Sequence, residues 1–229
     1  MTQGTRLDRC PFCGTVIEGL ATACMNEKCG VSLCPRLLVD WEIEALLKRG
    51  ELVIDPLFKL RGEKQGEEDA QLGPGGLDLR LDTIFKEFKS MNQESIDLRR
   101  RPREEELYRL IELEVRTPQA PYVLHPGDFV LAQSLEYVAI PDYLSGRLDG
   151  RSTYGRYGVT IHSTAGGVDA GFRGHLAFEL SNNGKMPVLL YPTDRVARLS
   201  FFLTSKCEEP YRGKFQLQVR VKPPVPDNP

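Results

Sequence analysis

A glutamate in the middle of an apolar strand is the first residue whose position points to chemistry. In His175-Leu176-Ala177-Phe178-Glu179-Leu180, alternation sends Leu176, Phe178 and Leu180 to one face, expected to be the core. His175, Ala177 and Glu179 share the other face. A carboxylate beside a small alanine there is costly unless it is solvated, paired or used. Just before it, Gly166-Gly167-Val168-Asp169-Ala170-Gly171-Phe172-Arg173-Gly174 forms a glycine-rich hairpin carrying Asp169, where backbone can approach a ligand closely. Further upstream, Gly150-Arg151-Ser152-Thr153-Tyr154-Gly155-Arg156-Tyr157-Gly158 collects two arginines, a serine, a threonine and three glycines. Such a run suits an oxyanion: hydroxyls and backbone N–H groups donate, and guanidinium grips oxygen in a fork. Taken singly, these segments also fit a polar turn and a solvated glutamate.

A second chemical cluster lies at the other end of the chain. Five of the six cysteines fall between Cys10 and Cys34. Cys10-Pro11-Phe12-Cys13-Gly14 puts two thiols on one tight knuckle, and Cys24 and Cys29-Gly30 make a second with four spacer residues. Four thiolates suit a tetrahedral structural Zn²⁺ with no open position. The stretch is too short for its own core, so a metal staple makes physical sense. Disulfides and free thiols are the other readings, and a reducing compartment argues against disulfides. Cys10, Cys13, Cys24 and Cys29 are the favoured ligands because both pairs end in Cys-Gly; Cys34 is the alternative fourth ligand. Cys207 stands alone and reads as a small hydrophobe. A zinc nucleobase deaminase needs His-x-Glu upstream of Pro-Cys-x-x-Cys. His125, His162 and His175 all lie downstream, none followed by x-Glu, which excludes that class.

Those groups must be held by a fold that composition and pattern constrain. The chain has 229 residues, 41% hydrophobic and 27% charged, and a formal charge of −2. That is a globular balance with no overall basic field for nucleic acid. No apolar run is long enough to span a membrane, and the first residues lack a signal peptide, so the chain is expected to stay in the cytoplasm. The pattern over 37–50 predicts a helix, with Asp40 as N-cap, an Ile43, Leu46 and Leu47 stripe, and Gly50 as its stop. Leu52-Val53-Ile54 reads as a short strand, 61–72 as a charged loop, and Gly73-Pro74-Gly75-Gly76 as a turn feeding the strand Leu77–Leu81. The mixed charge block within 89–108 reads as a solvated excursion. From 111 onward, short β-rich runs are punctuated by Pro and Gly, which predicts an all-β barrel or jelly roll. The proline-rich tail from Lys222 has nothing to dock it.

From about Leu37 to Gln218 these segments together resemble the dCTP deaminases of the dUTPase superfamily. The resemblance runs through Leu38–Ile43 and Gly50–Pro56, Gly76–Leu81, Leu124–Phe129, Leu148–Arg156, Asp169–Gly174, Phe178–Asn182, Pro210-Tyr211 and Lys214–Gln218. It implies a mainly β, dUTPase-like distorted jelly roll or β-barrel with a short N-terminal helix. The cysteines add a small zinc-ribbon-like module in front. The expected division is 1–35 for that module, 36–221 for the nucleotide domain and 222–229 for the tail.

The resemblance also assigns roles. Glu179 falls at the family's general acid/base, with Ser152 and Arg156 positioning the attacking water. Arg151 and Thr153 complete the phosphate cradle, and Asp169 stands beside the deoxyribose. The base edge is read around Ala177, Phe178 and Glu179, largely through backbone, with Ala165 in the loop before Asp169. Tyr211, Lys214 and Gln218 match the segment that closes over the triphosphate. A homotrimer with sites between subunits is implied, as is Mg²⁺ carried by the triphosphate. The ligand is a small nucleotide, dCTP or the related dUTP and dTTP, rather than a membrane or a polynucleotide. The leading expectation is deamination of dCTP to dUTP and ammonia. A bifunctional enzyme releasing dUMP and pyrophosphate is the close variant, with Asp169 as base for the second water. A dUTPase alone would lack the need for Glu179, and a non-enzymatic regulator would not need the full polar set. Three departures stand out: the cysteine-rich N-terminus, Arg198 where many relatives carry Gln, and the short Pro210–Lys214 segment followed by a proline tail in place of the usual ending.

Overall fold

The computed structural model describes residues 5–6, 9–17, 20–21, 23–24, 28–29, 33, 35–60, 70–88, 108–112 and 120–222. Cys34, the loop expected over 61–72 up to residue 69, the charge block 89–107 and the tail beyond Lys222 lie outside the described residues.

The described N-terminal part begins with a two-residue pair, β1 (Thr5–Arg6) and β2 (Leu20–Ala21). Arg36–Leu37 (β3) leads into the expected helix, α1, which is shorter than its pattern and spans Asp40–Lys48. Its N-cap is Val39 rather than Asp40. The reason is Glu42: its carboxylate accepts the Val39 N–H at 3.1 Å, so the third helical residue closes the first turn. Ile43 and Leu46 are buried as expected, and Gly50 leaves the helix at φ 69°, a left-handed conformation that glycine adopts freely.

The rest is β. In chain order follow β4 (Val53–Asp55), β5 (Leu72–Gly73), β6 (Gly76–Phe88), β7 (Tyr108–Glu112), β8 (Tyr122–Leu124), β9 (Phe129–Ala139) and β10 (Leu144–Gly150). A five-residue helix, α2 (Ser152–Arg156), interrupts them. Then come β11 (Val159–Thr160), β12 (Gly167–Val168), β13 (Arg173–Asn182), β14 (Val188–Leu190) and β15 (Arg195–Leu203). Among the described residues one antiparallel sheet has the central order β11-β13-β9-β6-β15-β10-β12, and β8 pairs β14 separately. The mainly β architecture expected from the sequence is present. The strands are longer than their apolar runs because the sheet curls on itself: β6 and β9 bury residues of both alternations, including Leu77, Asp78, Leu79 and Arg80. Phe85, Phe178 and Phe201 fill the interior without exposure. At the usual value, burial of each such ring contributes about 2–3 kcal/mol.

Two breaks in register shape the region that matters. Between His175 and Ala177, β13 meets two extra residues of β9, whose pairing jumps from Tyr137 to Gln133. Ser134 closes that gap: its hydroxyl donates to Glu136 O at 2.7 Å and accepts Leu176 N–H at 2.8 Å. Glu136 faces inward in step with Val130, Ala132 and Val138, because two extra residues leave the alternation of β9 unchanged. Among the described residues no helix is long and apolar enough to cross a membrane.

Candidate active site

The outer face of β13 borders a cavity of about 410 Å³. Its lining includes Ala165, Asp169, Ala177, Glu179, Tyr211 and Gln218, six of the residues singled out in the sequence. They arrive from three elements. Alternation along β13 sends Ala177 and Glu179 outward, while Leu176, Phe178 and Leu180 face the core. The segment between β11 and β13 supplies Ala165 and Asp169. The stretch after β15 brings Tyr211 and Gln218.

Glu179 is half-buried. Its Oε2 accepts the Ser163 N–H at 2.8 Å, and its own N–H donates to Ile161 O at 2.8 Å. Ser163 is the side chain's hydrogen-bond partner among the described residues, so acceptor capacity is left over on the cavity side. Asp169 is exposed at the cavity.

The glycines around Asp169 serve a different neighbour from the one expected. A Cβ on Gly171 would lie 2.6 Å from Pro210 Cβ, and one on Gly174 would lie 2.8 Å from Gln218 N. The hairpin's bare backbone admits the chain's own C-terminal stretch rather than a ligand. Tyr211 N–H donates to Ala170 O, Leu217 N–H to Arg173 O, and His175 N–H to Gln218 O. Gln218 is buried and returns its side-chain amide to His175 O at 2.9 Å. The stretch thus forms one wall of the cavity. Phe178 has no exposed surface, which leaves only its backbone for contact with anything in the cavity. Lys214 is exposed and is not among the lining residues.

The Arg151–Arg156 run does not meet Glu179 within the chain. It borders a separate hollow of about 250 Å³ with Gly150, Arg151, Ser152 and Gly155 on its wall. Expected as an oxyanion cradle or a polar turn, it contains the short helix α2, with Ser152, Thr153 and Arg156 exposed. Arg151 is anchored: its Nη1 donates to Arg195 O at 3.0 Å and its Nε lies 3.3 Å from Asp78 Oδ2. Asp78 also receives Arg198 Nε at 3.0 Å and lies 3.5 Å from Arg195 Nη1. Three guanidinium groups around one carboxylate leave an excess of positive charge beside the cradle. Arg198, the departure noted in the sequence, is part of that cluster. Tyr154 donates to Asp194 at 3.1 Å, and burial together with that carboxylate pushes its phenol up.

Sequence reasoning missed His162 and Glu136. His162 lines both hollows; its Nε2 lies 3.7 Å from Asp149 Oδ1, and its buried Nδ1 has no hydrogen-bond partner among the described residues. Its place midway between the cradle and Asp169 was the available signal. Glu136 has no exposed surface, and burial pushes its carboxyl up while Arg80 pulls it down. It accepts from Arg80 N–H at 2.8 Å, Arg80 Nη1 at 3.3 Å and Gln71 Nε2 at 3.0 Å. Arg80 in turn lies over the Phe58 ring at 4.3 Å. Alternation with Val130, Ala132 and Val138 was the available signal for Glu136, whereas its partners Gln71 and Arg80 come from distant parts of the chain.

At the far end, the thiols of Cys10, Cys13, Cys24 and Cys29 gather with all four sulfurs within 4.8 Å of one another.

The described chain matches the dCTP deaminase-like family over residues 37–204. A protein named dCTP deaminase, dUMP-forming, from Mycobacterium sp. (strain KMS) is 42% identical over 176 residues, covering 76% of this chain and 85% of the relative. Its namesake from Corynebacterium jeikeium (strain K411) is 40% identical over 176 residues, covering 76% and 86%. Among solved structures, the 2'-deoxycytidine 5'-triphosphate deaminase from Agrobacterium tumefaciens aligns with a TM-score of 0.52 at 21% identity, over 74% of this chain and 48% of that one. The chain therefore spans about half the length of that solved protein, and the likeness is one of fold. The match over 37–204 leaves the cysteine cluster outside it. The chain belongs to the dCTP deaminase-like family.

Proposed function

We propose that the chain hydrolyses dCTP, removing the 4-amino group as ammonia and cleaving the triphosphate to give dUMP and pyrophosphate. One observation carries the reading: Glu179 and Asp169 line the same cavity, so a base and a phosphate chain held there would each meet a carboxylate. Of the two products expected from sequence, the dUMP-forming variant is preferred over release of dUTP. It agrees with the names of relatives 40–42% identical.

On this reading Glu179 takes a proton from water as the oxygen adds to C4 of cytosine, and passes it to N3. A second transfer protonates the amino nitrogen, the C4–N bond breaks, and the C4 carbonyl forms with loss of ammonia. General acid–base work of this kind contributes about 10²–10⁴-fold. The Ser163 N–H holds one carboxylate oxygen while the other moves the proton. Asp169 then takes a proton from a second water attacking the α-phosphorus, and the bond to the β-phosphate's bridging oxygen breaks. Ala165, Ala177 and the Phe178 backbone frame the base, and Tyr211 and Gln218 bound the closing wall. Mg²⁺ fits as a companion of the substrate: the phosphates and the exposed carboxylate of Asp169 are hard oxygen donors, and the ion would neutralise phosphate charge.

Ser152, Thr153 and Arg156 are exposed and do not line the cavity. That placement favours a homotrimer in which one subunit's cradle, with Arg151, completes the neighbour's cavity and Lys214 adds a cation. There Ser152 and Arg156 would position the water attacking C4. Residues 36–221 form the catalytic unit in this scheme, 1–35 an addition to it, and 222–229 a tail. The test is to incubate the protein with dCTP and Mg²⁺ and follow ammonia, dUTP, dUMP and pyrophosphate together. Ammonia with dUMP is expected. Ammonia with accumulating dUTP would reject the second step, and turnover of dUTP without ammonia from dCTP would reject the first. Light scattering should give three times the 25.8 kDa chain mass.

A further inference from the structure

The N-terminal cysteines carry a site that the nucleotide chemistry does not use. Cys10-Pro11-Phe12-Cys13-Gly14 is a true hairpin knuckle: Gly14 N–H donates to Cys10 O at 2.8 Å, Cys10 N–H to Thr15 O at 2.7 Å, and Arg9 bridges Val16. Gly14 sits at φ 75°, the left-handed turn such a knuckle needs. Cys13 Sγ lies 3.4 Å from Cys24 Sγ, and Cys10 Sγ lies 3.9 Å from Cys29 Sγ. A tetrahedron of Zn–S bonds about 2.3 Å long has edges of about 3.8 Å. Bonded sulfurs would be about 2.05 Å apart. The spacing is that of ligands around one ion, and the four cysteines are free of disulfides.

What the knuckle touches gives the ion a task. Phe12, between the first two cysteines, packs on Trp41 of α1 at a centroid distance of 5.9 Å. The Arg36 guanidinium lies 6.0 Å from the same ring and pairs with buried Glu42, whose Oε2 it meets at 2.7 Å. Glu42 is the residue that caps α1 through Val39 N–H. Knuckle, cation and cap thus form one contact at the start of the helix. Besides its sulfurs the described module buries little more than Ile17 and Leu33. A segment of about 35 residues is too short for a hydrophobic core of its own.

We propose that Cys10, Cys13, Cys24 and Cys29 bind one structural Zn²⁺ as thiolates, and that the ion locks the N-terminal segment onto the first turn of α1. Four protein ligands leave no position for water or substrate. The thiols release their protons to solvent on binding, and folding of the module is coupled to the metal.

Trp41 is the chain's single tryptophan and reports on the contact. The full-length protein, purified without added metal, should contain about one zinc per chain. Iron in equal amount with visible absorption, or folded protein lacking metal, would overturn the assignment. Chelation should release the zinc, shift Trp41 emission to the red, and leave both reversible on adding Zn²⁺. Zinc loss with unchanged emission would overturn the clamp. Cys13→Ser should lose most of its zinc. Phe12→Ala, which removes the ring but no ligand, should keep its zinc yet emit like the chelated protein; emission like wild type would reject Phe12 as the link. None of these readouts depends on dCTP turnover.

Discussion

Glu136 and Glu179 lie on neighbouring strands, and their surroundings differ in the respect that separates holding from reacting. Glu136 on β9 is wholly buried and its oxygens are taken by Arg80 and Gln71. Glu179 on β13 is half-buried, borders a cavity, and has one backbone N–H on one oxygen. A fully satisfied buried carboxylate fixes the geometry around it, and any change of its charge is felt as stability. A carboxylate with acceptor capacity and an open side can exchange protons with something small. On the proposed function the same residue type serves as a strut in one place and a reagent in the other, and the alternation of β9 and β13 puts them on opposite sides of the sheet.

The sharpest way to break the comparison is to neutralise each in turn. Glu179→Gln should cut ammonia release from dCTP by about 10²–10⁴-fold. Its stability should stay within about 0.5 kcal/mol of wild type, as measured by urea unfolding. Near-normal turnover would remove Glu179 from the chemistry. Glu136→Ala should do the opposite and lower unfolding free energy by about 3–5 kcal/mol, because it strands Arg80 in the interior. Where that variant folds, its ammonia release per active site should remain close to wild type. Within the cavity, Asp169→Asn divides the two carboxylate roles. It should suppress pyrophosphate formation by about 10²-fold while ammonia release continues, so that dUTP accumulates. Loss of both products together would show that the two steps share Asp169.

The smallest expected effect is in the pH dependence of stability. Burial raises the Glu136 carboxyl, so the folded state holds its proton more tightly than the unfolded chain. Its contribution is complete below the ordinary carboxylate value and declines as pH rises through the raised folded value. The slope is at most about 1.4 kcal/mol per pH unit. The difference between wild type and Glu136→Gln across that window should carry this sign. A difference that does not change with pH would mean that Arg80 cancels the burial.

Much of the site was legible because its signals are local. Alternation alone assigned Phe178 to the core and Glu179 to the opposite face, and both are where the period of two puts them. The glycines of the Asp169 hairpin were equally visible, yet their purpose was not. Only the fold brings Pro210 and Gln218 across more than thirty residues to the places where a Cβ would collide. Helix α1 illustrates the same limit at short range, since Asp40 is a good cap by type but Glu42 takes the cap by geometry. His162 was hidden for a plainer reason: its meaning lies in bordering two hollows, and neither exists before the sheet curls.

The sequence by itself determined the β-rich class, the grouping of four thiols, the family, and which face of β13 turns away from the core. These follow from period, spacing and residue type, which are properties of neighbours along the chain. Tertiary structure alone decided that Arg151 is tied to Asp78 rather than placed beside Glu179. It also decided that the C-terminal stretch walls the cavity, and that Glu136 is a buried strut. Those outcomes depend on which strands pair and where their register breaks, and the energy that settles them comes from contacts between residues far apart in sequence.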